Sequence, residues 1–217
     1  MGDLISLAER RVTRARSLSR GVPAAQATFY FDLASPLTYL AAERVERLLG
    51  AVRWCPALSD AMERPGSIVP PLDQLREEAE RRATALRMPL VWPDPFPLEA
   101  RAAMRAATYA ADAGRGDAFA LAASRLAYCG GFDLEDPEVL AEAAAAAGIG
   151  LVECMRAVGD QAGDRRMEET ARRLVAGGAD RLPAVRVGRL LVCGEERLVE
   201  AAACLSGSPP RGASRLG

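Results

Sequence analysis

The most constraining feature of the sequence is a strand that runs directly into a Ser-Pro step and then a helix. Residues 27–33 alternate weakly between apolar and polar and are rich in aromatic side chains, which is typical of a buried β-strand. Ser35 suits the N-cap and Pro36 the first position of a helix, and apolar residues follow at helical spacing as far as Gly50. The sequence therefore predicts a serine hydroxyl beside the free N–H groups of a helix N-terminus, where an anion is favoured.

The order of the remaining elements predicts a sheet in two halves with helices between them. A second strand over 51–55 completes a β-α-β opening, which favours parallel pairing. Strands over 184–187 and 190–192, joined by a Gly188-Arg189 turn, precede a final helix over 195–205. Helical patterns fill the region between the halves, over 72–87, 99–113, 117–129, 136–147, 151–158 and 162–176.

This organisation predicts an α/β fold that is interrupted by an all-helical domain. The predicted divisions are an N-terminal extension over 1–26, the first half of the α/β domain over 27–71, the inserted helical domain over 72–176, the second half over 177–205, and a disordered tail over 206–217. The arginine-rich start lacks the apolar segment of a secretory signal.

Composition excludes several kinds of chemistry. The chain contains no His, no Lys and no Asn, so Ser-His-Asp hydrolysis, His–metal sites, lysine Schiff bases and the Walker lysine are all excluded. The net charge of −1 gives no indication of a nucleic-acid or membrane partner. No apolar run approaches the roughly 18 residues needed to cross a bilayer.

The cysteines are scattered and odd in number, with no C-x-x-C pair. They are Cys55, Cys129, Cys154, Cys193 and Cys204. This spacing is neither a disulfide framework nor a zinc pattern, so no metal is expected. It favours a reducing compartment, and we expect the protein to be cytoplasmic.

Four short motifs occur in order over residues 27–205. They are Phe29-Tyr30-Phe31-Asp32-x-x-Ser35-Pro36-x-x-Tyr39-Leu40; Pro95-Phe96-Pro97 with Met104-Arg105-Ala106; Asp133-Leu134-x-Asp136-Pro137-x-Val139-Leu140; and Gly178-Ala179-x-x-Leu182-Pro183 with Gly194-Glu195-Glu196-Arg197-Leu198. As an ordered set they resemble the serine branch of the DsbA-like thioredoxin superfamily, which comprises the 2-hydroxychromene-2-carboxylate isomerases and the kappa-class glutathione transferases.

The resemblance implies a thioredoxin-like fold and a glutathione-dependent isomerase or transferase. In that family a serine at the position of Ser35 hydrogen-bonds the glutathione sulfur, whose thiolate adds to a small electrophilic, often aromatic, substrate. Glutathione, or another low-molecular-weight thiol, would be the cofactor. A disulfide oxidoreductase of this superfamily would carry cysteines at Ser35 and Thr38, so disulfide exchange is not expected. From the residues alone, Ser35 could instead only cap the helix.

The resemblance also implies contacts for the rest of the thiol ligand. Leu182-Pro183 corresponds to the family's cis-proline loop, which presents the Leu182 backbone to a peptide-like ligand, although an ordinary trans-proline at a strand start is the alternative. Glu195 and Glu196 fall where the family binds the γ-glutamyl amine, and acids at a helix N-terminus need no ligand to explain them.

The aromatic residues and the departures from the family pattern leave the activity open. Tyr39, Trp92 and Phe96 could line an apolar substrate pocket or simply belong to the core. The isomerases carry an Asn and a Lys after the second strand; this chain has neither, and Arg64 is a different donor. The alternative is therefore a catalytically degenerate DsbA-like protein that binds thiols or peptides. A homodimer is expected by analogy only.

Overall fold

The structure is a computed structural model that describes residues 27–63 and 71–205. The predicted extension over 1–26, the predicted tail over 206–217 and Arg64 lie outside the described residues. Four strands form one mixed sheet in the order β2-β1-β3-β4: β1 Thr28–Phe31, β2 Arg53–Pro56, β3 Ala184–Val187 and β4 Leu190–Cys193. As predicted, β1 and β2 are parallel, whereas β3 runs antiparallel to both β1 and β4.

The described residues form eight α-helices. These are α1 Pro36–Leu49, α2 Leu72–Leu86, α3 Arg101–Asp112, α4 Gly116–Tyr128, α5 Pro137–Ala147, α6 Leu151–Gly159, α7 Ala162–Ala176 and α8 Leu198–Leu205. Helices α2 to α7 lie between β2 and β3, which confirms the predicted fold class, an α/β fold with a helical insertion. No helix in this part of the chain is long and apolar enough to cross a membrane.

The start of the final helix differs from the prediction for an identifiable reason, whereas the turn between β3 and β4 agrees with it. The final helix, predicted from residue 195, begins with a separate 3-10 turn over Glu195–Arg197, because the Arg197 N–H bonds back to the Gly194 carbonyl (3.3 Å). The β3–β4 turn has a positive φ at Gly188 (58°), as expected for a hairpin turn with glycine first.

The sheet is buried on both faces, and its alternating side chains divide between two cores. Phe29 and Phe31 are fully buried on the face that carries Trp54, whose ring meets theirs edge-on at 4.8 and 5.7 Å. This larger core continues into α1 and the inserted helices. Ala171 and Leu174 of α7 cover the opposite face in a second, smaller core. The inserted helices therefore share their core with the sheet rather than forming an independent one.

Candidate active site

One edge of the sheet brings the predicted functional segments together. Strand β1 ends there and leads into Ser35, while β3 starts there, since Tyr30 pairs with Ala184. Strand β4 ends at the same edge, where Cys193 pairs with Ala184. The Gly194 N–H donates to the Pro183 carbonyl at 2.8 Å. The start of α1, the Leu182-Pro183 step and the Gly194–Glu196 turn are therefore neighbours.

Ser35 occupies the N-cap of α1 without capping it. Its backbone is extended (φ −96°, ψ 124°), Pro36 follows at the first helical position, and its side chain makes no cap hydrogen bond. Ser35 is half-buried, and its hydroxyl has no hydrogen-bond partner among the described residues. The interpretation of Ser35 as a capping residue thus lacks its hydrogen bond, and the free hydroxyl lies at a helix N-terminus that favours an anion.

The turn before Ser35 is held by a buried carboxylate. Asp32 accepts hydrogen bonds from the N–H groups of Ala34 (3.0 Å) and Ser59 (2.8 Å), so it ties the loops after β1 and β2 together. Burial raises the pKa of the Asp32 carboxyl, although these two backbone hydrogen bonds act in the opposite direction. The sequence analysis assigns no role to Asp32. The sequence feature that marks it is an acidic residue at the end of an apolar strand.

Tyr128 of α4 supports the same turn from the inserted helices. Its buried hydroxyl donates to the carbonyls of Ala34 (2.6 Å) and Leu33 (3.4 Å). Burial, and to a lesser extent Asp32, raise the pKa of Tyr128 well above its ordinary value, so the phenol remains a donor. Sequence reasoning missed this residue because 94 positions separate it from Ala34 and no local pattern marks it.

The Leu182-Pro183 peptide bond is cis, which confirms the expectation drawn from the resemblance. Within residues 27–63 and 71–205, neither the N–H nor the C=O of Leu182 has a hydrogen-bond partner. The segment beside the Ser35 turn therefore has an unpaired backbone donor and an unpaired acceptor. Such groups can pair with an extended ligand backbone.

The two candidate glutamates have different surroundings. Glu195 is fully buried, and its carboxylate binds Arg44 of α1 through one oxygen. The other oxygen accepts from Nε and Nη2 of Arg82 in α2, at 2.7 and 2.5 Å. Burial, followed by the neighbouring Arg82, lowers the pKa of Arg44. In this arrangement the Glu195 carboxylate faces protein on both sides and links α1, α2 and the 3-10 turn.

Glu196 lies at an open cleft. Its partly exposed carboxylate pairs with Arg181, and both residues line a cleft of about 530 Å³ against the start of α2. Gln74, Glu78 and Arg81 form the opposite wall. Most of the residues that line the cleft are charged, and both signs of charge are present, which suits a zwitterionic ligand.

The three candidate substrate-pocket aromatics do not form one group. Tyr39 is buried beside Tyr128, its hydroxyl donates to the Pro89 carbonyl (3.0 Å), and burial is the main cause of its raised pKa. Trp92 and Phe96 are half-buried with ring centroids 4.6 Å apart. The guanidinium of Arg76 lies 5.0 and 4.9 Å from these two rings, a cation–π arrangement. Tyr39 therefore belongs to the core, whereas Trp92 and Phe96 form a surface cluster with Arg76.

A mixed sheet with a helical insertion, a Ser-Pro helix start and a cis-proline at the same edge defines a thioredoxin-type α/β protein. A family model described as the DSBA-like thioredoxin domain matches residues 26–205, so the chain belongs to that family. Among curated proteins, no match is found.

Solved structures agree on the fold. A 2-hydroxychromene-2-carboxylate isomerase superimposes with a TM-score of 0.70 at 18% identity, covering 83% of this chain and 94% of that one. A probable DsbA oxidoreductase from Streptomyces coelicolor gives a TM-score of 0.61 at 20% identity, covering 88% and 93%. At these identities the similarity establishes the shared fold alone.

Proposed function

We propose that the protein is a glutathione-dependent isomerase or transferase, similar to 2-hydroxychromene-2-carboxylate isomerase. The observation that carries the proposal is the hydroxyl of the half-buried Ser35, which lies at the N-terminus of α1 and has no partner among the described residues. Here Ser35 donates a hydrogen bond to the sulfur of bound glutathione. The hydroxyl and the helix N-terminus both favour the thiolate over the thiol, so they lower the pKa of the bound thiol.

The cofactor's sulfur, not the serine, is the nucleophile in this scheme. The thiolate forms a carbon–sulfur bond to an electrophilic carbon of a small aromatic substrate, and the displaced electron pair moves onto the substrate or its leaving group. In a transferase the bond remains. In an isomerase the same bond breaks after rearrangement, the electron pair returns to sulfur, and glutathione is regenerated. Because glutathione supplies the thiol, the lack of His and of a C-x-x-C pair is no obstacle.

The other proposed ligand contacts involve residues at the same edge of the sheet as Ser35. The unpaired backbone groups of Leu182, next to Pro183, pair with the cysteinyl backbone of glutathione. Glu196 holds the γ-glutamyl amine. Glu195 is left out because both of its oxygens are bound by arginines. By family analogy the proposal includes a homodimer, and the five free cysteines favour the reducing cytoplasm.

A second candidate is a catalytically degenerate protein that binds thiols or peptides. It is favoured by the unpaired Leu182 backbone, which suits any extended peptide, and by the absence of the family's Asn and Lys. This candidate predicts ligand binding at the same edge without turnover.

Calorimetric titration with glutathione, followed by substrate assays, separates the two. We expect glutathione to bind the wild-type protein and to bind Ser35→Ala at least about tenfold more weakly, since a charge-assisted hydrogen bond is lost. Ser124→Ala removes a buried hydroxyl that a ligand does not reach and should leave the affinity unchanged. Turnover in chromene-carboxylate isomerisation or haloarene conjugation supports the enzyme, and binding without turnover supports the second candidate. No binding at millimolar glutathione contradicts the glutathione proposal.

A further inference from the structure

A groove rich in arginine lies on the face of the sheet that α1 does not cover. It has a volume of about 430 Å³ and runs between strands β1 to β3 and helix α7. Four arginines and a single carboxylate line it: Arg53, Arg166, Arg173 and Arg186, with Glu169. None of these residues belongs to the proposed glutathione site.

Strand register explains why two of the arginines converge. Thr28 pairs with Arg53 of β2 on one side and with Arg186 of β3 on the other, so the three residues form one row on the same face of the sheet. Helix α7 contributes Arg166 and Arg173 from above this row. A concave surface thus receives positive charge from three elements, β2, β3 and α7.

The two sheet arginines are only partly compensated by the protein. Among the described residues, neither Arg53 nor Arg186 has an ion-pair or side-chain hydrogen-bond partner. Arg166 is bound by Asp112 at 2.6 and 2.9 Å, and Arg173 meets Glu169 at 3.7 Å. The Nη2 of Arg186 lies 3.0 Å from where a Cβ on Gly177 would be, so the glycine lets it approach the C-terminal end of α7. That helix end offsets part of the Arg186 charge. Arg53 interacts electrostatically with Asp112, but the Asp112 carboxylate is hydrogen-bonded to Arg166.

The positive charges act on a common point. Burial raises the pKa of Cys55, which lines the groove, while Arg53, a hydrogen bond with Thr170, Arg173 and Arg166 all act in the opposite direction. The hydroxyls of Thr28 and Tyr30 line the same groove and have no hydrogen-bond partner in the described part of the chain. The groove therefore combines converging guanidinium groups with neutral donors.

We propose that this arginine groove is a second ligand site that binds a small phosphate-bearing molecule. An excess of guanidinium groups over carboxylates favours a ligand with about two negative charges, and the planar donor fork of arginine matches phosphate oxygens in pairs. The Thr28 and Tyr30 hydroxyls supply further donors for a tetrahedral oxyanion. The volume accommodates a small organic phosphate beyond the phosphate group itself.

Calorimetric titration with inorganic phosphate, phenyl phosphate and succinate, at constant ionic strength in chloride, tests the proposal. We expect both phosphates to bind and succinate to bind about tenfold more weakly. Equal binding of succinate would overturn the assignment to phosphate. Failure of both phosphates to bind at millimolar concentration would overturn the site.

Matched variants locate the binding. Arg53→Gln should weaken phosphate binding about tenfold, because the guanidinium of the exposed Arg53 makes no side-chain hydrogen bond within the described residues and its donor fork is available to phosphate. Arg165→Gln, which removes the same charge from an exposed position of α7 outside the groove, should change it less than about twofold. Equal effects of the two variants would mean non-specific charge attraction and overturn the proposal. Thermal unfolding of each variant checks that it is folded, and Arg186→Gln provides a second groove variant.

Phosphate binding at the groove and glutathione binding at Ser35 can be tested independently of each other. Ser35→Ala should retain phosphate binding, and Arg53→Gln should retain glutathione binding. Loss of phosphate binding in Ser35→Ala would contradict a second site.

Discussion

The Ser35 turn and the Glu195 turn lie at the same edge of the sheet, yet they use their polar groups in opposite ways. Around Ser35, Asp32 and Tyr128 satisfy the backbone of the turn, and the serine hydroxyl is left without a partner. At Glu195, both carboxylate oxygens are bound by Arg44 and Arg82. A free polar group in a satisfied frame can meet a ligand, whereas a carboxylate enclosed by two arginines holds the fold together.

Removing the Glu195 charge gives the largest expected effect. Glu195→Gln leaves Arg44 and Arg82, which are 13% and 22% exposed, without their carboxylate. We expect a loss of about 3 kcal/mol in the free energy of unfolding, measured by urea denaturation. Glu196→Gln is the matched control; its pair with Arg181 is largely solvent-exposed, so it should cost less than about 1 kcal/mol. Equal losses in the free energy of unfolding would show that the two glutamates contribute equally to stability, which would contradict this comparison.

Removing the Tyr128 hydroxyl tests the frame around Ser35. Tyr128→Phe leaves the partly buried carbonyl of Ala34 without its 2.6 Å donor, so we expect the free energy of unfolding in urea to fall by about 1 kcal/mol, together with weaker glutathione binding. Tyr109→Phe is the control, because its hydroxyl has no partner within the described residues. If Tyr128→Phe leaves both quantities unchanged, the inserted helices do not support the turn.

Ser124→Ala sharpens the comparison, since it deletes a second hydroxyl that has no partner. The Ser124 Oγ is buried inside α4 and makes no hydrogen bond in the described structure. Unlike Ser35, it has no adjoining helix N-terminus and no route to a ligand. The substitution should therefore stabilise the protein by about 1 kcal/mol, because an unsatisfied polar atom is removed and alanine favours a helix. A loss of stability in thermal or urea unfolding would show that the hydroxyl is satisfied after all.

The smallest expected effect is a pH dependence from Asp32. Burial raises its folded-state pKa above the ordinary 3.8, so the folded protein retains a proton that the unfolded chain has released. Stability from this group is therefore present below pH 3.8 and is lost as the pH rises through the folded-state pKa. An NMR titration of the Asp32 carboxyl carbon should give a midpoint above that value, and a lower midpoint would contradict the account.

Local features of the fold could be predicted from the sequence. The strand, the Ser35-Pro36 step and the helix after it are encoded by adjacent residues, and the predicted parallel opening is present. The cis form of Leu182-Pro183 was expected from the resemblance, not from the dipeptide. Trp92 and Phe96 were grouped with Tyr39 on chemical type alone, and the structure separates them.

The contacts that distinguish the two turns could not be predicted, because they join distant parts of the chain. Glu195 meets arginines 151 and 113 positions away, and a run of acids before a helix has the same pattern whether or not it is buried. The arginine groove likewise depends on strand register, which places Arg53 and Arg186 on either side of Thr28. In a chain with no lysine, arginine composition alone gives no sign of such a convergence.

The role of Ser35 as a donor to the thiolate is tested most directly by the pKa of the bound glutathione thiol. This pKa is measured from the thiolate absorbance in wild type, Ser35→Ala and Ser124→Ala. We expect a bound thiol pKa below the ordinary value of about 8.5 in wild type and in Ser124→Ala. In Ser35→Ala it should return toward that value. An unchanged thiol pKa in Ser35→Ala would contradict the role of Ser35 as a donor to the thiolate.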